Sequence, residues 1–263
     1  LQVGKRFLLI EVQMPYGLYI SAEGANAQSS RLDVIANNLA NVDTVGFKRE
    51  LACFQARYAE AVDKGLAIPG SGNTEDVGGG VLFRQTKTDF SAGAVKRTNN
   101  PANVAILGEG FFTVKKGDET FLTRAGNFQI NSRGELVTPQ GYAVLDESGG
   151  PVVINPEVKH WDISDTGALR QPGNMQNLAI VKPADNESLV KYGENLFRLT
   201  TQPEPVPQDQ RRVASGSLEM SAVSPTLEMT AMIEASRLFE ANVSMMKTQD
   251  QMLGSLISRV LKA

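Results

Sequence analysis

The residues of this chain able to do chemistry are few, and their spacing builds no reactive group. His160 is the only histidine and stands beside the only tryptophan, Trp161. A general base needs a nucleophile to activate or a third group to orient it. No G-x-S-x-G, H-E-x-x-H or Walker sequence accompanies His160. Gly108-Glu109-Gly110 begins like a phosphate loop, but no helical pattern follows it. Cys53 is the only cysteine, so an internal disulfide is impossible. It sits on an expected helix face without a nearby histidine and reads as a small buried hydrophobe. Asp and Glu are scattered along what read as solvated faces. These features describe a protein that is not an enzyme and uses no cofactor or metal.

The charge balance narrows the partners. The 263 residues include 26 Lys and Arg against 29 Asp and Glu, a net charge of -3. Without a Lys/Arg run there is no phosphate-tracking surface, so nucleic acid is not an expected partner. No stretch approaches the roughly 18–20 apolar residues of a membrane helix, which argues against direct membrane insertion. Lys5 and Arg6 precede the apolar run Phe7–Ile10, but Glu11 ends it and no small-residue cleavage site follows. Residues 1–13 therefore read as an upstream extension, with Met14-Pro15-Tyr16 as the natural start.

The elements follow from periodicity. Leu18, Ala25, Leu32 and Leu39 lie seven apart, which predicts a helix over 17–42. Gly17 and Gly24 weaken its first turns. Leu51, Phe54, Tyr58 and Ala61 suggest a second short helix within 48–63. Pro69–Asn73 and Gly78–Gly80 read as a flexible linker. From 81 to 200, short runs rich in Val, Ile, Phe and Thr alternate with Gly, Asn, Asp and Pro, the pattern of a small antiparallel β domain. Examples are Ala102–Leu107, Phe111–Lys115, Thr120–Arg124 and Leu178–Val181.

A long helix is expected over 224–262. Ser224 suits its N-cap and Pro225 its first position. Met232, Phe239, Met246, Leu253 and Val260 lie seven apart, and such a helix spans roughly 55 Å at 1.5 Å per residue. Its stripe is rich in Met and includes Asn242 and Gln249; methionine adapts to irregular surfaces, and a buried amide can set register. The expected fold is thus α+β. The N- and C-terminal helices pack as a coiled-coil-like domain, and a central domain is antiparallel and β-rich. The divisions are a 1–13 extension, a 14–64 helical segment, a 65–80 linker, an 81–212 β domain and a 213–263 long helix packing on the first.

The run Asp33–Lys48, with Ala36-Asn37-Asn38-Leu39-Ala40-Asn41 and then Thr44-Val45-Gly46-Phe47-Lys48, resembles the N-terminal motif of bacterial flagellar axial proteins. Val104-Ala105-Ile106-Leu107-Gly108-Glu109-Gly110-Phe111-Phe112 is similar to the family's central strand pair. Thr123-Arg124-Ala125-Gly126-Asn127-Phe128, Leu136-Val137-Thr138 with Gly141, and Gly193-Glu194-Asn195-Leu196-Phe197 match its later motifs. Gly216-Ser217-Leu218-Glu219 and Glu228–Asn242 resemble its C-terminal helix. The resemblance spans nearly everything from Met14 to Leu261 and is to the flagellar basal-body rod proteins.

That resemblance implies a structural subunit of the bacterial flagellar rod, self-assembling into a tubular drive shaft across the periplasm. Its implied partners are copies of itself, other flagellar rod and hook subunits, and the flagellar type III export apparatus. Hook proteins carry a larger outer domain, and the smallest rod proteins lack a central β domain. The compact length and Asn195-Leu196-Phe197-Arg198 favour the proximal-rod type; Ile35–Lys48 and Asp250-Gln251-Met252-Leu253 also suit the distal type. The candidate assembly residues are Leu32, Ile35, Asn37, Asn38, Leu39, Asn41, Gly46, Phe47, Met232, Leu238, Phe239, Asn242, Met246, Leu253 and Leu256. Asn37, Asn38 and Asn41 have a plainer reading as turn formers, and Phe47 and Phe239 as core residues. The competing class is a soluble, non-catalytic binding module with a closed coiled-coil stalk.

Overall fold

Both ends of the chain turn their seven-residue apolar repeats into helices. The computed structural model describes residues 16–58, 62, 65, 68, 78–155, 158, 160–185, 188–201 and 203–260. The extension expected at 1–13 and the linker residues Pro69–Asn73 lie outside the described residues. Helix α1 runs Tyr16–Ala40 and helix α2 runs Pro225–Val260, the latter 36 residues long. Proline opens α2 where its missing N–H is no loss, and the Glu228 N–H closes the first turn on the Ser224 carbonyl at 3.0 Å. At the C-terminal end of α1, Asn41 Nδ2 donates back to the Asn37 carbonyl at 2.9 Å.

The described chain divides into two compact units. Among the described residues, one spans 16–36, 51–87 and 229–260 and holds most of both helices. In it the two helices run antiparallel: Gly17 faces Gln249, Gly24 faces Asn242, and Arg31 approaches Glu234 at 3.8 Å. Ala25, Ala27, Val34, Ile35 and Ala235 are buried there.

The same unit corrects the second-helix expectation. Residues Glu50–Ala56 form a strand, β1, paired with β2 at Val81–Thr88. Phe54 meets Phe83 edge-on, with ring centroids 5.8 Å apart. Leu51, Phe54 and Tyr58 are exposed, so their helix-like spacing reflects no buried stripe, and Ala61 lies outside the described residues. Cys53 is accordingly half-buried on a strand. The glycines at 78–80, read as linker, continue the β1–β2 pairing: the Arg57 N–H donates to the Gly80 carbonyl and the Gly79 N–H to the Arg57 carbonyl, both at 2.9 Å.

The second unit comprises 37–50 and 88–228. Its strands are β3 Val95–Arg97, β4 Val104–Ile106, β5 Phe111–Lys116, β6 Glu119–Thr123, β7 Gln129–Ile130, β8 Leu136–Val137, β9 Ala143–Val144, β10 Asp162–Ile163, β11 Ala168–Gln171, β12 Asn174–Asn177, β13 Ile180–Lys182, β14 Leu189–Gly193, β15 Leu196–Leu199, β16 Glu204–Pro205, β17 Val213–Ser215 and β18 Ser217–Glu219. Among the described residues the largest sheet runs β14-β15-β6-β5-β9-β8-β7, with β13 bridging β5 and β16. The pairings are antiparallel, as the turn-punctuated sequence predicts. A three-stranded sheet, β10-β11-β12, stands beside two short ribbons, β17-β4 and β18-β3. The region 213–263 therefore begins with two strands before its helix. They return the chain antiparallel to β4 and β3.

Alternation along β5 divides the core. Phe112 and Val114 join Phe121, Phe128, Leu136, Leu169, Leu178, Ile180 and Leu196 in one large cluster. Phe111, on the other face, packs with Leu122 and Phe197, and Phe90 closes over both rings at 5.7 and 5.5 Å. Trp161 packs against the large cluster, and neighbouring His160 is exposed.

Candidate assembly surface

The turn after α1 is held by side chains that are far apart in sequence. Asn38 is only 1% exposed. Its Nδ2 donates to the Glu50 carbonyl at 2.8 Å and its Oδ1 accepts the Glu50 N–H at 2.9 Å. The amide thus imitates a strand partner for Glu50. Thr44 Oγ1 and Asn41 Oδ1 stand 3.2 Å apart within the turn. Gly46 adopts φ +67, and a Cβ there would meet the Ala125 backbone nitrogen at 2.6 Å. Only glycine meets both conditions without strain. The Gly46 N–H donates to the Glu219 carbonyl at 2.8 Å, and Asn195 Nδ2 donates to the Val45 carbonyl at 2.8 Å. Phe47 is buried, with the Lys191 ammonium 4.0 Å from its ring centre.

Charges complete this joint. Lys48 Nζ donates to Glu219 Oε1 at 2.7 Å and to the Ser91 carbonyl at 2.8 Å. Glu219 also accepts from Arg124 at 3.3 Å and from the Gly93 N–H at 3.0 Å. Arg124 donates to the Ile106 and Gly108 carbonyls. Burial pushes the Lys48 ammonium below its usual pKa, a pull that hydrogen bonding to Glu219 partly opposes. Burial likewise lowers Arg124, again against the attraction of Glu219. At the base of α2, Glu228 is 1% exposed and pairs with Arg49. The acidic residues at 219 and 228 are therefore buried ion-pair partners, not members of a solvated face as the sequence suggested. Glu219 is thus the shared counter-ion of two buried cations, and removing it leaves both uncompensated.

The candidate assembly residues fall into two groups. Asn38, Asn41, Gly46 and Phe47 meet in the joint just described, while Asn37 is exposed on α1. Leu32 and Leu39 are half-buried on α1 and Ile35 is buried. On α2, Met232, Phe239, Asn242, Met246 and Leu253 are half-buried, whereas Leu238 and Leu256 are exposed. The exposed apolar row on α2 is longer than the sequence list. Leu227, Met245, Met252 and Val260 also face water on the same side, Val260 at 74%, while the exposed Met229, Ile233 and Ile257 lie on other sides of the helix. Isolated exposed hydrophobics are ordinary, but a sustained row on one helix is the form of a contact surface.

Sequence reading missed the charged members of the joint. Lys48, Glu219 and Glu228 stood inside the recognised motifs, and that location was the available signal. Their partners lie up to 190 residues away, beyond the reach of any local pattern. Among the described residues no group of His, Cys, Asp and Glu is placed to hold a metal, and no helix is long and apolar enough to cross a membrane.

Comparison with known proteins locates the same three regions. Residues 18–48 match the family described as flagella basal body rod protein. Residues 105–171 match the flagellar hook protein FlgE/F/G D1 domain, and 214–259 the flagellar basal body rod FlgEFG protein C-terminal region. The flagellar basal-body rod protein FlgG of Bacillus subtilis is 34% identical, with 92% of this chain and 97% of that protein covered. FlgF of Caulobacter vibrioides is 32% identical, with 95% and 99% covered. FlgG of Borreliella burgdorferi is 34% identical, with 92% and 97% covered.

Proposed function

Because the chain belongs to the flagellar basal-body rod protein family, we propose that it self-assembles into the tubular rod by packing the apolar face of α2 against neighbouring subunits. The family is structural, not enzymatic, and its place is the rod of the flagellar basal body. Its members assemble with other flagellar axial subunits.

The observation that carries it is the exposed row from Leu227 to Val260 on α2. Long amphipathic helices gain most of their stability from covering the apolar face, and here part of that face is uncovered. Head-to-tail contacts that do not close on themselves generate a helical filament. Leu238, Leu256 and their exposed neighbours suit such contacts, with half-buried Met232, Phe239, Met246 and Leu253 beside them. The β-rich unit, with its own core, adds lateral contacts and the stiffness that a torque-bearing shaft needs. Passage through the flagellar type III export apparatus, unfolded, accounts for delivery.

Within the family, the proximal-rod type is favoured by the compact length and by Asn195-Leu196-Phe197-Arg198. Complementation separates the types: this chain restores motility to a strain lacking the proximal subunit and not to one lacking the distal subunit. The reverse result overturns the choice of type and leaves the rod assignment standing. Assembly itself is tested by electron microscopy and sedimentation of the purified full chain over a concentration series. Open tubes or filaments at high concentration are the expected outcome. A discrete dimer or trimer that grows no further overturns it and favours a closed binding module.

A further inference from the structure

We infer that Gly17, Gly24, Asn242 and Gln249 form a register lock that fixes how far α1 slides along α2. The two helices share a weakness. Each repeats its apolar residues every seven positions, so sliding one past the other by seven residues brings like against like again. Apolar matching alone does not select one register.

The two amide layers break that degeneracy. A Cβ on Gly17 would lie 2.8 Å from Gln249 Nε2, and a Cβ on Gly24 would lie 2.9 Å from Asn242 Oδ1. Each amide thus lies in the space that a side chain on α1 would occupy. The layers are seven residues apart on both helices, with the Arg31–Glu234 approach following in the same direction. Glycine is a poor helix former, and two of them in the first turns of α1 are tolerated for the close approach they allow.

Each alternative register has a specific fault. Slid one way, Gly24 meets Gln249, but Arg31 then stands where Asn242 needs an open seat. Slid the other way, Gly17 meets Asn242, but Gly24 faces Ala235 and a gap remains. The amides are also poorly suited to plain stabilisation. Gln249 Oε1 is buried and has no hydrogen-bond partner among the described residues, and Asn242 Nδ2 turns back to the Leu238 carbonyl at 2.9 Å on its own helix. A leucine at either place would bury more apolar surface. Polar residues that add little stability at a heptad seam are the kind that specify alignment.

The test is a distance measurement between spin labels in the full chain. Cys53→Ser removes the native thiol, and labels go on Asp33→Cys and Lys247→Cys, both exposed. The parent should give one narrow distance. The Asn242→Leu/Gln249→Leu variant should keep its helical circular dichroism but add a population displaced by up to about 10 Å, the length of seven residues. A single unchanged distance in a helical double-leucine variant overturns the lock. If that variant loses its helix, the exchanged layer Gly24→Asn/Asn242→Gly decides. It restores one glycine seat and one amide, so a single narrow distance supports the lock and a spread of registers overturns it.

Discussion

The two units solve the burial of apolar surface in opposite ways. The β-rich unit folds its strands around Phe112, Phe121, Leu136, Leu169 and their neighbours, several of which are fully buried. The helical unit buries a narrower seam of Ala25, Ala27, Val34, Ile35 and Ala235 and leaves Leu256 and Val260 largely in water. The first has the packing of a domain that needs no partner. The second has the surface of a part that does. On the proposed assembly, one chain can be stable as a subunit and still offer a surface to its neighbours, because the two properties reside in different residues.

The sharpest way to break that contrast is to end the chain after Glu228. This removes the α2 segment of the helical unit and leaves the β-rich unit complete, including the pairing of Arg49 with Glu228. Assembly should be lost entirely, while cooperative unfolding of the β-rich unit persists by calorimetry. Filaments from the truncated chain would show that the β-rich unit, not α2, drives assembly.

Single substitutions in the β-rich unit come next. Phe112→Ala removes a ring that is 0% exposed and meets Phe128 edge-on at 5.1 Å. The expected loss is about 3–5 kcal/mol in urea unfolding. Glu219→Ala should fall in a similar range, about 3–5 kcal/mol, because Lys48 and Arg124 are left as buried cations without their shared carboxylate. A loss below about 1 kcal/mol would mean that water or other groups reach these cations, so that they do not depend on the Glu219 carboxylate.

The joint also shows where sequence reading succeeds and where it fails. The repeat of Met232, Phe239, Met246, Leu253 and Val260 announced α2 because a helix keeps its period over many turns. The β runs around Phe111 and Thr120 were legible because turn residues bracket them. Strand β1 was misread because it belongs to a two-stranded ribbon with exposed residues on it, so no alternation marks it. The ion cluster was illegible for a different reason. Lys48 and Glu219 are 171 residues apart, and Arg124 and Glu219 are 95 apart; each charge alone looks like surface. Asn38 was singled out as a turn former or interface amide, but its pairing with the Glu50 backbone needed the strand that the sequence did not reveal.

The smallest expected effect on stability tests the comparison from its other side. Leu256→Ser alters a side chain that is 58% exposed on α2 and belongs to neither buried cluster of the β-rich unit. Surface changes of this kind shift unfolding by about 0.5 kcal/mol or less, so urea titration of the unassembled chain should barely move. Covering a leucine at a subunit contact is worth about 1.5–3 kcal/mol, so the concentration needed for filament growth should rise by about tenfold or more. The two measurements must therefore part company. If stability and assembly fall together, Leu256 supports the fold of the helical unit; if neither moves, the contact surface lies on another stretch of α2.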